Sequence, residues 1–270
     1  MNDSGIIIRL NRILRGNHHK ALIVAFDHAL VLGPIPGTED PVGQIQRFAV
    51  GGADAVLLNL GLLHDCILSL ASAPLPGIIA RIDWTNLWGV PAPSDGGELR
   101  SCLLARPEDA LRQGADAVLT YLVVGTGDTN FEAKEVERNA AIARECERIG
   151  MPLIVETLAR GKQAANPKDL KWLNLHTRMA VELGASMVKT DYAGNPESMR
   201  RVVDGCPVPL VVLGGSRYSS DEQALDVIRG AVAGGAAGVL FGRNVFQAED
   251  TVSFLQKARA VLDGCPQVAQ

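Results

Sequence analysis

The sequence predicts a (β/α)8 barrel that takes in all 270 residues as one domain, and three observations predict it. Apolar runs of strand length, bounded by Gly, Asp or Pro, recur eight times along the chain. Segments of helix length separate these runs, and strands that are apolar on both faces and alternate with helices belong to parallel sheets. Eight such units in about 250 residues are typical of this barrel.

The chain begins with an amphipathic segment at residues 4–16, for which Ser4 is a candidate cap and Gly16 the stop. Residues 1–20 are therefore predicted to form a helical extension that closes the bottom of the barrel. The strands are predicted at Ala21–Asp27, Ala53–Leu60, Gly77–Asp83, Ala115–Val123, Pro152–Leu158, Ala185–Asp191, Pro209–Gly215 and Ala236–Gly242. The helices are predicted at 39–50, 61–72, 105–113, 131–149, 168–183, 196–203, 220–233 and 248–263.

Four of the strands are entered through the same turn, a glycine followed by an alanine, at Gly52, Gly114, Gly184 and Gly235. Such a glycine can cap the C-terminus of the preceding helix. A doubly wound sheet shares the alternation of strands and helices and is the rival architecture. The sequence disfavours it, because no G-x-G-x-x-G fingerprint follows the first strand.

Composition and charge exclude several classes of function. The chain is 47% hydrophobic and 21% charged, with a net charge of −4, so it lacks the basic surface that nucleic acid or an anionic membrane requires. No stretch approaches about 18 uninterrupted apolar residues, and the first residues lack the pattern of a signal peptide. The five cysteines stand singly without CxxC spacing, which disfavours disulfides. We therefore expect a cytoplasmic protein that acts on a small molecule.

Charged residues gather where the predicted strands end, which is the edge of this barrel that carries the chemistry. The sixth strand holds Lys189 within an apolar run, with Asp191 on the same face two residues later. Burial disfavours the charged form of an amine, and a neutral lysine attacks carbonyls to form a Schiff base. The alternative is a lysine that reaches solvent or pairs with Asp191. Other strands end in Asp27, His28, Arg81, Asp83 and Glu156, each of which could instead form a structural salt bridge.

The seventh and eighth strands end in glycines. Gly214-Gly215-Ser216 follows one strand and Gly242-Arg243 follows the other. Glycines leave backbone N–H groups open to an anion, and this barrel commonly binds phosphate between its last two loops. The alternative is that these glycines only make tight turns. No His, Cys or carboxylate group has metal-ligand spacing, so the sequence favours a phosphorylated ligand and gives no support for a metal.

Several short motifs are spread over nearly the whole chain. They are Asp27-His28 with Gly33-Pro34 and Gly37, Val188-Lys189-Thr190 with Tyr192 and Gly194, Gly214-Gly215, and the run from Gly242 to Gln247. Together they resemble the archaeal-type class I fructose-bisphosphate aldolases of the DeoC/LacD aldolase family. The resemblance implies a Schiff-base lysine at Lys189, an aspartate at Asp27 that holds the substrate's hydroxyls, and phosphate binding at the two glycine loops. It also implies catalysis without a metal or organic cofactor, and a large ring-like homo-oligomer.

One departure from that family bears on the substrate. Aldolases of this type carry Tyr-Pro-Arg-Gly after the fifth strand, with the tyrosine as acid/base, whereas this chain reads Leu158-Ala159-Arg160-Gly161. Glu156 lies two residues earlier on the same strand face and is the candidate replacement, which would take the proton of the substrate's hydroxyl. A desolvated site with neighbouring carboxylates is expected to raise its pKa. The alternative is that Glu156 only pairs with Lys189 or Arg81.

Three functions remain open at this stage. The leading hypothesis is a class I aldolase that cleaves or forms a C–C bond in a phosphorylated ketose, with dihydroxyacetone phosphate as one product. The second is a lysine-dependent transaldolase or thiolase-type transferase, and the third is a phosphate-binding barrel without chemistry. The long loop Trp84–Ala105 is a natural specificity lid. The predicted catalytic residues are Lys189, Asp27 and Glu156, and the predicted substrate contacts are His28, Arg81, Asp83, Asp191, Gly214, Gly215, Ser216, Gly242 and Arg243.

Overall fold

The computed structural model describes residues 4–15, 20–70, 75–88 and 98–264. Gly16, the end of the predicted helix at 61–72, part of the predicted lid at 89–97, and Cys265 lie outside these ranges. The described chain forms ten strands: β1 Ala21–Ala25, β2 Ala55–Asn59, β3 Gly77–Arg81, β4 Asp83–Thr85, β5 Ser101–Leu103, β6 Ala117–Val124, β7 Leu153–Ala159, β8 Met187–Thr190, β9 Leu210–Leu213 and β10 Gly238–Phe241. Eight of them, all parallel, close into a barrel in the order β1-β10-β9-β8-β7-β6-β3-β2, which confirms the predicted fold.

In the described ranges, one helix precedes the first barrel strand and the others lie between and after the strands. They are α1 Ser4–Ile13, α2 Ala29–Leu32, α3 Pro41–Val50, α4 Leu60–Leu70, α5 Pro107–Arg112, α6 Thr129–Ile149, α7 Leu170–Leu183, α8 Pro196–Asp204, α9 Asp221–Ala233, α10 Arg243–Phe246 and α11 Thr251–Asp263. The short α2 and α10 were not predicted, because four residues are too few to show a helical period. In the described parts of the chain, no helix is both long and apolar enough to cross a bilayer.

The turns that lead into the strands follow the glycine pattern of the sequence. All four glycines of the Gly-Ala turns have a positive φ, between 86° and 108°. Gly184 is the C-cap of α7, whereas the other three glycines lie one residue after the cap of their helix. A side chain at these positions would strain the backbone, so the glycine fixes where each helix ends.

The two-residue period of the strands separates the barrel's interior from its helix layer. On β8, Met187 packs inside the barrel with Ile154 and Val211 of the neighbouring strands. Val188, the next residue, packs outward into the core shared with the helices. Lys189 therefore shares the interior face with Met187, as the sequence predicted.

The amino ends of the strands are closed by α1. Ile13 is fully buried and packs with Ala21, Ala55 and Ala117, the first residues of β1, β2 and β6. Arg12 adds a hydrogen bond of 3.0 Å to Asp116, just before β6. The predicted closure of the bottom by an N-terminal helix is confirmed, with the helix ending at Ile13.

The loop after β3 contains a small sheet that the sequence pattern did not predict. β4 and β5 pair antiparallel, with Trp84 opposite Cys102. The predicted third strand, which ran to Asp83, ends at Arg81, and Asp83 begins β4 instead. Strands of three residues are too short for an alternating pattern to be recognised. The hairpin brings part of the predicted lid into regular structure beside the barrel mouth.

Candidate active site

A cavity of about 360 Å³ opens at the carboxyl ends of the strands. Its walls come from the end of each barrel strand and from the loops that follow. All twelve residues predicted from the sequence line this one cavity: Lys189, Asp27, Glu156, His28, Arg81, Asp83, Asp191, Gly214, Gly215, Ser216, Gly242 and Arg243. The parallel barrel thus brings together side chains that lie far apart in the sequence.

Lys189 lies on β8 at the floor of the cavity and is 5% exposed. Its neighbour in register on β7 is Glu156, and the Lys189 Nζ donates to Glu156 Oε1 across 2.8 Å. The predicted alternative partner, Asp191, instead pairs with Arg160, whose Nη2 lies 2.9 Å from its Oδ2. The amine is therefore held by one carboxylate and faces a cavity large enough for a small ligand.

Arg81, at the end of β3, is the hub of the buried charges. Its guanidinium contacts Asp27 Oδ2 through Nε at 2.8 Å, Glu156 Oε2 through Nη2 at 2.5 Å and Asp83 Oδ1 through Nη1 at 3.4 Å. Its Cζ also lies 3.7 Å from the centroid of the Tyr121 ring. Because an unpaired buried charge is costly, this set of contacts is what allows three carboxylates to remain in one desolvated layer.

The pairing decides the protonation of these carboxylates. Burial alone would raise the pKa of Asp27, but neighbouring cations, Arg81 first and Lys189 with it, outweigh it and lower that pKa to about 2. Burial also acts to raise the pKa of Glu156, and there Lys189 and Arg81 outweigh it, so the pKa is lowered. The expected rise in the pKa of Glu156 was therefore wrong, because two cations lie closer to it than any carboxylate. Both groups are carboxylates at neutral pH.

Asp83 is held more completely than its neighbours. Its side chain is fully buried, and Oδ2 accepts hydrogen bonds from the Tyr121 N–H at 2.8 Å and from Arg138 Nη2 at 3.0 Å. Burial raises its pKa, against the opposing effect of Arg81 and Arg138. Arg138 belongs to α6 and also contacts Ser101 of β5 at 2.5 Å. Asp83 thus connects Arg81 to the hairpin and to α6, and its oxygens are taken up by these partners.

His28 lies where β1 gives way to α2, next to Asp27. Its Nδ1 is 3.5 Å from Asp27 Oδ1 but makes no hydrogen bond within the described residues. Burial lowers the pKa of His28, so the imidazole is neutral at pH 7. Its ring packs edge-on against Phe246 and lies so close to Gly242 that a Cβ there would come within 2.3 Å of it. Only glycine fits at position 242 while His28 keeps this place.

The two glycine loops are joined by one side chain. Asn244 Nδ2 donates to the carbonyls of Gly214 and Ser216, each at 3.1 Å, and its Oδ1 accepts from the Tyr218 N–H at 2.9 Å. Gly215 has a φ of 67°, which favours glycine, and no atom lies within 4 Å of the Cβ position it lacks. The loop after β9 therefore presents open backbone to the cavity and is fixed to the loop after β10.

Arg243 is the cation beside these loops. It is the first residue of α10, directly after Gly242, and it lines the cavity. Its Nε is buried and has no hydrogen-bond partner among the described residues. A buried guanidinium N–H without a partner is unfavourable, so this atom is suited to an anionic ligand.

Several residues that line the cavity were not among the predicted site residues, although Leu158 and Arg160 stand in the motif that departs from the family and Trp88 lies in the predicted lid. They carry chemistry or shape: Asn59, Trp88, Tyr121, Leu158, Arg160 and Lys168. Asn59 ends β2, and Arg160 follows β7, so the strand-end rule could have found both. Tyr121 lies within the apolar run of β6, three residues before the strand ends, and no sequence signal marked it. Leu158, which occupies the place of the tyrosine expected from the resemblance, lines the cavity and is fully buried.

Comparison with known proteins places these observations in a family. The model of the DeoC/LacD family aldolases matches residues 21–248. An uncharacterised aldolase of Saccharolobus solfataricus is 37% identical over 86% of this chain and 85% of its own length. The 2-amino-3,7-dideoxy-D-threo-hept-6-ulosonate synthase of Halobacterium salinarum is 34% identical over 92% of this chain and 87% of its own.

Among solved structures, that of an archaeal fructose 1,6-bisphosphate aldolase superposes with a TM-score of 0.83 at 27% identity. The match covers 95% of this chain and all of that one. The family model's match, residues 21–248, includes Lys189 and both glycine loops.

Proposed function

This chain belongs to the DeoC/LacD aldolase family, and on that premise we propose that it is a class I aldolase that forms or cleaves a C–C bond of a phosphorylated ketose. One observation carries the proposal: the Lys189 amine lies on the cavity floor, 2.8 Å from Glu156 and within the same cavity as two glycine loops and Arg243. A nucleophilic amine and an anion-binding loop in one cavity suit a ketone that bears a phosphate. Fold alone would not support a reaction.

In the first step, Lys189 Nζ attacks the ketone carbon of the donor. Glu156 is placed to take the proton that the nitrogen must lose, because its Oε1 already accepts a hydrogen bond from Nζ. The same carboxyl can return a proton to the carbinolamine hydroxyl, which leaves as water and gives the iminium. The low pKa of Glu156 keeps it in the carboxylate form needed to begin this sequence. In this proposal Glu156 exchanges protons with the lysine nitrogen and the carbinolamine, and not with the substrate hydroxyl that the sequence analysis expected.

The iminium then acts as the electron sink. In cleavage, the hydroxyl that becomes the aldehyde gives up its proton, the electrons of the breaking C–C bond move into the iminium, and an enamine is left on Lys189. A proton then adds to the enamine carbon, and hydrolysis of the resulting iminium releases the three-carbon donor. Synthesis runs the same steps in reverse. With a phosphorylated three-carbon ketone as donor, the released product is dihydroxyacetone phosphate. The chemistry is supplied by the lysine itself.

The phosphate of the donor is proposed to lie between the loops after β9 and β10. The backbone of Gly215 and Ser216 is open there, and Arg243 Nε has no partner among the described residues. Asp27, whose pKa is about 2, is charged at neutral pH and is a hydrogen-bond acceptor for a substrate hydroxyl. These contacts would orient the ketone carbon toward Lys189.

A second candidate is a transferase that passes the same enamine to a different acceptor. Two observations favour keeping it: Leu158 lines the cavity, and the matched Halobacterium salinarum relative is named as a heptulosonate synthase. In that case the donor fragment would not be released free. Lys189, Glu156 and Arg243 would keep the same roles, because both reactions begin with the same imine.

The test is a product screen. The purified chain is incubated with dihydroxyacetone phosphate and a panel of aldehydes, and separately with fructose 1,6-bisphosphate and other phosphorylated ketoses, with products identified by mass spectrometry. An aldolase gives C–C products or free dihydroxyacetone phosphate, and a transferase gives product only when a ketose and an acceptor are both present. Lys189→Met should give no product in either assay. The matched control is Lys257→Met, on the exposed face of α11, which should behave as the wild type. No product from the wild type, or equal product from Lys189→Met, would contradict the proposal.

A further inference from the structure

Forming the new C–C bond requires an acid in the cavity. When the enamine carbon attacks the acceptor aldehyde, the π electrons of its C=O move to oxygen, and that oxygen needs a proton. The carboxyl groups nearest to Lys189 do not carry one. Asp27 has a pKa of about 2, the pKa of Glu156 is lowered by Lys189 and Arg81 against the effect of burial, and Asp191 is paired with Arg160. Asp83 also lines the cavity and burial raises its pKa, but its oxygens are taken up by Arg81, Arg138 and the Tyr121 N–H. A group other than a carboxyl is therefore better placed to supply the proton.

Tyr121 is placed for that task by the register of the barrel. It lies on β6 opposite Glu156 of β7, which in turn lies opposite Lys189 of β8. The three residues therefore occupy one level on three adjacent strands. Residues directly in register on adjacent strands lie on the same face of the sheet, so all three side chains face the interior. Of the three tyrosines in the chain, all within the described residues, only Tyr121 lines the cavity.

Tyr121 enters the reaction as a neutral phenol with a cation against its ring. Burial raises its pKa well above the ordinary value, with Glu156, Asp27 and Asp83 adding to the rise and Arg81 opposing it. The phenol is therefore protonated at neutral pH. Arg81 lies with its Cζ 3.7 Å from the ring centroid, so a cation is already in place when the phenol becomes a phenolate.

We propose that Tyr121 is a further catalytic residue, whose hydroxyl gives its proton to the acceptor's carbonyl oxygen as the C–C bond forms and takes it back in cleavage. The inference rests on the proposed imine at Lys189 and deepens it. The atoms balance as follows: the enamine regenerates the iminium, the aldehyde oxygen becomes a hydroxyl, and Tyr121 becomes a phenolate. Water then adds to the iminium to give the carbinolamine, and the proton released in that step restores the phenol.

His28 is the other neutral titratable group of the cavity. It follows β1, three strands from Lys189 in the barrel order, whereas β6 is two strands away on the other side. Its ring is packed between Phe246 and Gly242, beside the glycine loops where the phosphate is proposed to bind. This place suits contact with the phosphate end of the donor. If Tyr121 is the proton donor, its variant should lose C–C turnover; if His28 is the donor, the His28 variant should. Testing a variant of each residue distinguishes the two assignments.

The experiment compares Tyr121→Phe with Tyr192→Phe in the full-length chain. Both changes remove one phenolic oxygen, and Tyr192 packs against Gly230 of α9 outside the cavity lining. Imine formation is measured by borohydride trapping with dihydroxyacetone phosphate, and C–C formation by mass spectrometry with glyceraldehyde 3-phosphate or the aldehyde that the wild type accepts best. Tyr121→Phe should keep the trapped adduct and lower C–C turnover by roughly 10²–10⁴-fold. Tyr192→Phe should behave as the wild type.

The pH dependence of turnover distinguishes a catalytic role of Tyr121 from a structural one, because a structural role would leave it unchanged. With 3-fluorotyrosine at position 121, whose phenol is more acidic, the alkaline limb of turnover should move to lower pH. The inference is overturned if Tyr121→Phe turns over normally, if it loses trapping together with turnover, or if the fluorinated protein keeps an unchanged limb. Loss of C–C turnover with retained trapping in His28→Asn, and not in Tyr121→Phe, would assign the proton to His28. A wild type that traps nothing contradicts the proposed function first, and the inference with it.

Discussion

Successive inward-facing positions on four barrel strands differ in chemistry, and we call them the lower and the upper layer. The lower layer contains Ile79, Leu119, Ile154 and Met187, all fully buried and apolar. The upper layer begins two residues further along the same four strands, with Arg81, Tyr121, Glu156 and Lys189. Because the period of a strand is two, each pair points the same way. A single step along four strands therefore changes the interior from an apolar core to a charged site.

The comparison shows how the barrel can hold charges out of water. The lower layer gains stability from burial and is sealed from below by Ile13 of α1. The upper layer would be costly if any of its charges lacked a partner, and Arg81 prevents this by contacting three carboxylates. Changes in the two layers should therefore differ in kind: upper-layer changes should mainly affect turnover, and lower-layer changes mainly stability.

The largest expected effect is in the upper layer. Glu156→Gln keeps the shape but removes the proton acceptor at 2.8 Å from Lys189 Nζ. It should lower kcat, and the rate at which the imine becomes trappable, by roughly 10²–10⁴-fold, or about 2.7–5.5 kcal/mol in activation free energy. Glu132→Gln is the matched control, since Glu132 bonds Thr126 outside the cavity. Fast trapping with slow turnover would instead place Glu156 at the C–C step.

The lower layer is tested by Met187→Ala. Met187 is fully buried, so its truncation should lower the free energy of unfolding by about 2–5 kcal/mol, as measured by denaturant titration. Turnover of the folded fraction should fall far less than in Glu156→Gln. Met179→Ala, on a partly buried position of α7, should cost less stability. A Met187→Ala protein of normal stability that has lost turnover would break the division between the layers.

Some features of the fold and of the site could be predicted from the sequence, and others could not. The apolar runs predicted the eight barrel strands, and the strand ends and the loops after them predicted twelve of the residues that line the cavity, because both depend on periodicity and barrel topology. The hairpin of β4 and β5 and the pKa of Glu156 were not predictable in this way. The pKa of Glu156 depends on which cation lies within 3 Å of its carboxylate. The role proposed for Tyr121 was not predictable either, because the residue lies within the apolar run of β6. Local sequence patterns do not predict the distances between side chains on different strands of the barrel.

A smaller effect is expected from the anion end of the upper layer. Arg243→Ala removes the cation beside the glycine loops and should weaken binding of phosphorylated substrate by roughly 10–100-fold, which corresponds to about 1.5–3 kcal/mol. The KM of an unphosphorylated analogue should change little. Arg217→Ala is the control, since Arg217 pairs with Asp221 at 2.6 Å and does not line the cavity. An equal rise in KM for both substrates would place the phosphate elsewhere.

A separate effect, on acid stability and not on turnover, is expected from a buried histidine outside the barrel interior. His176 of α7 is fully buried, neither ring nitrogen has a partner among the described residues, and burial lowers its pKa to about 3. The folded protein keeps it neutral, whereas the unfolded chain takes up a proton below about pH 6.5, so stability is lost as pH falls from 6.5 toward 3. The slope from this residue reaches about 1.4 kcal/mol per pH unit.

Denaturant titrations of His176→Leu across pH 7 to 4 should show a flatter acid slope than the wild type. His64→Asn is the control, because His64 is exposed on α4. An unchanged slope in His176→Leu would mean that the acid sensitivity lies elsewhere, in the paired carboxylates of the upper layer. Either outcome shows which part of the molecule limits its stability to acid.

The central claim is that Lys189 forms a covalent imine with a phosphorylated ketone. The direct measurement is borohydride reduction of the wild type in the presence of dihydroxyacetone phosphate, followed by peptide mapping of the adduct by mass spectrometry. The account predicts one reduced three-carbon adduct on the peptide that contains Lys189, and none in Lys189→Met. An adduct confined to exposed lysines, or no adduct at all, would contradict it.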